Sequence, residues 1–293
     1  MHRTLLLATA CTTALAAGTG VNAQSAGAED GVPPSAFFVG VGASYSFANF
    51  ATQSVYNKGV STVFQSGVPT ASGVADGPAV QTPMASQSTP ALVAQLGYFR
   101  RFGDSNFLWG SKLSYSYLGM SSTIQNLVIP QFGTSTAAGV STFDGYSVTG
   151  SYSVAIYNQT TFLPFVGYAS GKAFLYAGAG PSVSQIKASL DSVVGFATIN
   201  GTLTNISGPP QSFSSTNWTV GAAGALGLTY FLTPSWFLDL NYSFTAPNAR
   251  TIFATSPFSN PGTGTTSFAG TLIGNYSANL STHAIALTIN RAF

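Results

Sequence analysis

The sequence predicts an all-β fold, an eight-stranded antiparallel transmembrane β-barrel with long external loops, and three observations carry that expectation. Charged residues make up 5% of the 293-residue chain and aromatics 13%, with 22 Phe, 13 Tyr and 32 Gly. An ordinary soluble domain carries roughly 25% charged residues, so a surface this poor in charge suits a chain whose outside faces lipid. After the N-terminus no segment approaches the roughly 20 consecutive apolar residues of a spanning helix, because Gly, Ser, Thr and Asn interrupt every apolar stretch. Backbone groups in lipid are satisfied only in helices or closed barrels, which leaves the barrel. Finally, the apolar residues recur with period two, the signature of strands.

Met1 to Ala23 has the layout of a cleaved export signal: Arg3, an apolar run opening at Leu5-Leu6-Leu7, and Val21-Asn22-Ala23 as a small-x-small cleavage site. Ala8-Thr9-Ala10-Cys11 loosely resembles a lipidation site. Ala8 stands where Leu is usual and the apolar run before it is short, so ordinary cleavage is expected. Residues 24–34 then form a short periplasmic extension and 35–293 the barrel. Cys11 is the single cysteine and leaves with the signal, so no disulfide or Cys-based metal site is expected. A formal net charge of +2 offers no basic stripe for nucleic acid.

The strands are expected near 36–49, 89–102, 107–120, 142–158, 172–188, 215–232, 236–247 and 275–293. In the first, Phe37, Val39, Val41, Tyr45 and Phe47 alternate with Phe38, Gly40, Gly42, Ser44 and Ser46. Phe107, Trp109, Leu113, Tyr115 and Tyr117 repeat the pattern, as do Tyr146, Val148, Tyr152, Val154 and Ile156. So do Trp236, Leu238, Leu240, Tyr242 and Phe244. The second face, of Gly, Ser, Thr and Ala, fits a cramped lumen better than a solvated surface, so the apolar face is expected to point outward. Gly103-Asp104-Ser105-Asn106, Phe162 to Gly167 and Thr233-Pro234-Ser235 make short or medium connections. The other four, near 50–88, 121–141, 189–214 and 248–274, are long and rich in Ser, Thr, Gly and Pro. Short periplasmic turns, long external loops and an even strand number are the pattern of bacterial barrels.

Three segments carry a family resemblance: Phe37 to Phe47, Leu175 to Pro181, and Trp218 to Phe244, in which Trp-x-x-Gly-x-x-Gly leads into Tyr230 to Trp236. With them the chain resembles the small outer-membrane β-barrel family that includes OmpA-like and opacity-type porin-family proteins. Its C-terminus is similar to the family's barrel-assembly signal, carried here by Leu287, Ile289 and Phe293, with Arg291 departing from it. The resemblance implies the cell outer membrane as location, with outer-membrane lipid, lipopolysaccharide and the assembly machinery as partners. No peptidoglycan-binding domain is expected after the barrel.

Candidate chemistry is sparse. His283, outward near the external end of the last strand, would suit a lipid hydrolase, but Ile285 occupies the place of the nucleophile and no Glu is near. Asp144 and Asp191 are too few for a rim protease, and one His after the export signal with scattered Asp gives no metal site. Gly178, Gly180, Gly221 and Gly227 precede no helix, so they read as relief of crowding in strands and not as a phosphate loop. Lys112 and Asp239 fall on the luminal face, where a charge must be paired or hydrated. Arg100 and Arg101 read as rim charges. The expectation is a non-enzymatic protein without cofactors, with a structural or surface-interaction role and an extracellular ligand reached through the loops. The alternative is a narrow porin-like channel for ions or small solutes, in which Lys112 and Asp239 select or gate.

Overall fold

The computed structural model describes residues 31–136, 142–199, 201–262 and 264–293, so the expected export signal and most of the 24–34 extension lie outside the described residues. The regular elements are all strands: β1 (Ser35–Asn49), β2 (Thr52–Gln65), β3 (Val68–Asp76), β4 (Val80–Pro83), β5 (Gln87–Arg101), β6 (Phe107–Ser135) and β7 (Thr142–Ser170), followed by β8 (Ala173–Ile199), β9 (Thr202–Asn205), β10 (Gln211–Thr233), β11 (Trp236–Pro247), β12 (Arg250–Asn260), β13 (Thr266–Ala278) and β14 (Ser281–Ala292). Eight of them pair antiparallel into a closed ring, in the order β1, β5, β6, β7, β8, β10, β11, β14 and back to β1. The connections between β5 and β6, β7 and β8, and β10 and β11 are short and lie at one end of the ring. Between β7 and β8 only Gly171 and Lys172 turn the chain, and Gly171 takes the positive φ (57°) that a two-residue hairpin requires.

The structure corrects the expected boundaries in three places. Strand β7 runs straight through Phe162 to Gly167, read from sequence as a connection, with Pro164 in register opposite Ser111. The final segment is two strands: β13 belongs to an outer hairpin, and the chain breaks at Asn279–Leu280 before β14. Among the described residues the four long connections are mostly strands. They raise a second tier above the ring, in the order β12, β13, β2, β3, β6, β7, β8, β10. Val and Thr on these hairpins fit a pleated wall, and long-range ladders, such as β2 against β13 and β3 against β6, join the hairpins to one another.

Burial changes sense between the tiers. In the ring the outward positions are apolar, Phe37 at 65% and Leu92 at 81% exposure among them, while Ser44, Gln95, Thr161, Asn241 and Thr288 are buried in the lumen. In the upper tier the lumen is apolar, filled by Phe50, Ile129, Tyr152, Val154, Ile156, Leu190, Phe213 and Tyr276. Here the sequence expectation fails: Tyr152, Val154 and Ile156, read as outward with Tyr146 and Val148, are 0% exposed. Two irregularities in β7 explain it. The register with β8 shifts between Ile156 and Gln159, and the side chains change phase at Gly150. Gly150 lies between Asn126 of β6 (φ 54°) and Ser192 of β8 (φ 58°), so three neighbouring strands kink at one level. Tyr146 therefore stays on the outer wall, stacked on Phe196 at 5.4 Å. Gln53, fully buried, staples the corner between the tiers: its Oε1 accepts from Ser277 Oγ (3.0 Å) and from Asn279 N–H (2.9 Å).

On the upper tier Tyr56 donates to Asp76 Oδ1 (2.6 Å) and Lys58 Nζ lies 3.0 Å from Asp76 Oδ2. The Tyr56 hydrogen bond, helped by Lys58 and by the N–H of Gly77, holds the Asp76 carboxyl below the usual carboxylate range against the opposing effect of burial. Burial first, then the bond to Asp76, pushes the Tyr56 hydroxyl up to about 12. Asp76 is depressed, so its contribution is present above the unfolded value near pH 3.9 and fades as pH falls through the folded one. Tyr56 is raised, so its contribution is complete below about pH 10 and fades as pH rises toward the folded value. Amide-exchange protection of the β2–β3 hairpin, normalised to the intrinsic rate, should hold through neutral pH and drop on acidification. In Asp76→Asn the acid drop should disappear.

Candidate functional site

Lys112 on β6 and Asp239 on β11 occupy strands that are not neighbours in the ring, and their side chains meet across the lumen at 3.0 Å. Both are almost fully buried. Asp239 is densely solvated by protein: Oδ1 accepts from Tyr176 (2.9 Å) and Thr229 (3.4 Å), and Oδ2 from Gln95 (3.2 Å), Lys112 (3.0 Å) and Asn241 (3.2 Å). The Tyr176 hydroxyl accepts from Lys112 Nζ at 2.5 Å while donating to the carboxylate, and Nζ also sits 4.8 Å from the Tyr176 ring centroid. Gln95 extends the network to Thr288 (2.8 Å) and Asn290 (2.7 Å) on β14. A buried charge persists only when paired and hydrogen-bonded on all sides, and here five strands supply the partners.

Below the pair, toward the short turns, the lumen is closed by aromatic rings: Phe38 against Phe237 (5.3 Å), Phe237 against Phe231 (4.9 Å), and Phe99 against Phe174 (5.3 Å). Inward glycines make this layer possible. A Cβ on Gly97 would lie 2.5 Å from the Phe38 ring, one on Gly110 2.5 Å from Phe165, and one on Gly227 2.3 Å from Tyr176. Val32, buried, crosses the opening, its N–H on Gly171 O (3.2 Å) and its carbonyl held by Arg101 Nη2 (2.9 Å). Arg101, read from sequence as a rim charge, is thus tied to this strap. Above the pair lies a polar void of about 40 Å³ bordered by Ser44, Ser114, Ser116, Gln159 and Ser243, room for a few waters. Higher still, Gln159 Nε2 bonds Thr282 (3.0 Å), and the apolar filling of the upper tier begins.

The remaining sequence candidates do not join this site. Leu287 and Ile289 are exposed on the outer face of β14, Phe293 N–H donates to Phe37 O (2.8 Å), and the Arg291 guanidinium lies 5.2 Å from the Phe293 ring centroid. His283 is outward, its Nδ1 2.6 Å from the Tyr242 hydroxyl and its ring 4.9 Å from Phe244. Asp191 accepts from Ser189 (3.1 Å) and Ser151 (3.4 Å), and Asp144 lies on the upper part of β7. Among the described residues no three His, Cys, Asp or Glu side chains come together to hold a metal ion. Sequence reading missed Tyr176, Gln95 and the aromatic layer. The available signal was an aromatic on the small-residue face close to a short turn, seen at Phe38, Phe99, Phe174, Phe231 and Phe237.

Neither a scan against models of protein families nor a search of curated proteins finds a match to this chain. Among solved structures it is similar to Ail, the attachment invasion locus protein of Yersinia pestis, in complex with the heparin analogue sucrose octasulfate. That likeness has 12% identity, 86% coverage of this chain, 99% of the other and a TM-score of 0.29. Neisserial surface protein A gives 12% identity, the same coverages and a TM-score of 0.27. The outer membrane protease OmpT from Escherichia coli gives 9% identity over 89% of this chain and 97% of its own, with a TM-score of 0.26. Likeness at this level assigns the chain neither activity nor ligand.

Removing one partner of a buried ion pair strands the other, which typically costs about 3–5 kcal/mol, whereas replacing both with apolar residues is often neutral. Lys112→Met and Asp239→Leu should each lower unfolding stability in that range. The double variant Lys112→Met/Asp239→Leu should lose far less than the sum. A double-mutant cycle by reversible denaturant unfolding in detergent measures it.

Proposed function

We propose that this chain is a non-enzymatic protein of the cell outer membrane, exported through a cleaved signal at Met1–Ala23, whose eight-strand ring crosses the bilayer as a closed, non-conducting scaffold for the upper tier. The carrying observation is a lumen filled at both ends beneath an apolar exterior. The outward run on β6 from Phe107 to Tyr117 matches the roughly 9–11 tilted residues that a spanning strand needs. Above it the outer positions turn polar, with Ser121, Thr123 and Gln125, as expected where water replaces lipid. A ring of eight leaves an interior just wide enough for side chains, and here aromatic rings, the Lys112–Asp239 network and the upper apolar filling occupy it in turn.

The role that follows is structural or surface interaction, with lipid and lipopolysaccharide around the ring, the assembly machinery reading Leu287, Ile289 and Phe293, and an extracellular partner meeting the upper tier. There the outer wall leaves Val128 and Phe132 exposed beside the Tyr146–Phe196 stack, and exposed apolar patches rimmed by polar residues are typical contact surfaces. His283 bonded to a tyrosine between aromatic rings has the surroundings of an interfacial anchor.

Single-channel recording of the refolded protein in a planar bilayer, with heat-modifiable gel migration confirming the fold, tests the reading. Folded protein should leave the bilayer silent. Stepwise conductance that changes in Lys112→Ala or Asp239→Ala would replace the scaffold with a narrow channel.

A further inference from the structure

The upper tier has one wall that no ladder laces. β10 pairs with β11 only from Gly221 downward, with a last backbone bond from Asn248 N–H to Val220 O (3.0 Å), and above that point it faces β12 without strand pairing. Side chains bridge the gap: Ser256 Oγ donates to Gln211 Oε1 (2.9 Å) and Asn260 Nδ2 to Asn205 O (2.9 Å). Directly behind this seam lies a void of about 30 Å³, bordered by Phe213 from the β10 lip, Phe258 from the β12 lip, Phe143 and Leu272. Its outer side is covered by the segment 206–210, folded inward so that Ser207 is 1% exposed, with Gly195 N–H on Ser207 Oγ (2.7 Å) and Ile206 N–H on Gly195 O (3.0 Å).

Two features make this more than a packing defect. Gly59, Gly73 and Gly195 line the void, and a Cβ on any of them would meet its neighbours no closer than 3.4 Å, an ordinary contact. The space therefore exists because three inward positions lack side chains, unlike Gly97 or Gly227, where a ring already fills it. The second feature is Asn57, which borders the void at 3% exposure. Its Nδ2 donates to Ser147 (3.0 Å) and Thr149 (3.4 Å), its backbone carbonyl accepts from Gln131 (2.7 Å), and its Oδ1 has no partner among the described residues. A buried acceptor left unmet is destabilising, and the rest of the wall offers mainly rings and aliphatic carbons.

We infer that this void is a binding site for a small, uncharged, mostly apolar molecule carrying one O–H or N–H, which donates to Asn57 Oδ1 while its body lies among Phe143, Phe213 and Phe258. At rest the void holds one or two waters. A larger guest is accommodated by the two boundaries not held by strand pairing, the β10–β12 seam and the 206–210 segment. Among the described residues no cation or carboxylate borders the void, so a charged guest there would be stranded without a partner.

Phenol, with one O–H, and anisole, the same ring without a donor, are the probes, titrated into the full refolded protein in nanodiscs and followed by amide chemical shifts. Phenol should shift the amides of Asn57, Gly59 and Gly195 saturably, with anisole at least about fivefold weaker, the factor expected from one unmet hydrogen bond. Gly59→Val and, independently, Gly73→Val fill the space and should abolish the response while leaving the Tyr152 and Tyr276 amides unmoved. No saturable shift with phenol would mean a void occupied by water alone and would overturn the proposal. So would equal affinity for anisole, or an unchanged response in both filled variants.

Discussion

On the proposed function the rest of the structure depends on one constraint: a backbone that crosses lipid must hydrogen-bond to itself with no free edge. Eight strands closed by antiparallel ladders meet it, and closing at eight fixes the width of the interior. A lumen that narrow leaves no choice but to be filled, and its contents follow from geometry. Rings lie over inward glycines because a Cβ would collide with them, as Gly227 does beneath Tyr176. Tyr176, so seated, can both accept from Lys112 and donate to Asp239. The charged pair is therefore tolerated inside because ring closure brings Gln95, Thr229 and Asn241 around the same carboxylate.

The second consequence of that reading is that a single wall serves two solvents. Along β7 the outward face is apolar at Val166 and Phe162 and carries Ser153 and Ser151 higher up, while the luminal face goes from Thr161 to Ile156, Val154 and Tyr152. Ordinary burial of apolar surface governs the upper tier, and the reverse governs the ring. In β7 the register shift between Ile156 and Gln159, followed by the kink at Asn126, Gly150 and Ser192, turns Tyr152, Val154 and Ile156 to the lumen at this change of polarity.

The ring was legible in the sequence wherever its strands alternate cleanly between large apolar and small residues, as Phe37 to Phe47 and Trp236 to Phe244 do. Lys112 and Asp239 stood out because charge is rare on a face of Gly and Ser. The upper tier was not legible. Its hairpins are built from Ser, Thr and Gly, which read locally as loop, and what makes them strands is pairing between segments far apart, such as β2 with β13 and β3 with β6. Strict alternation also misled at Tyr152, Val154 and Ile156, since the phase changes at Gly150 and between Ile156 and Gln159 put them on the face opposite Tyr146 and Val148. The void beside Asn57 had no sequence signal, because a missing side chain at Gly59, Gly73 and Gly195 becomes space only once three strands converge.

The change of solvent along β7 is open to direct measurement. With Cys11 changed to Ser the chain has no other thiol, so single cysteines placed in turn from Val166 up to Tyr146 can each carry a spin label in the refolded protein in nanodiscs. Accessibility to oxygen, which concentrates in lipid, and to a water-soluble nickel reagent should show lipid contact at Val166 and Phe162 and water contact at Ser153 and Ser151. Labels at Tyr152, Val154 and Ile156 should be shielded from both. Oxygen accessibility at those three positions matching that at Phe162 would mean that the apolar face continues outward into lipid, and the account of a filled lumen beneath a water-facing tier would be wrong.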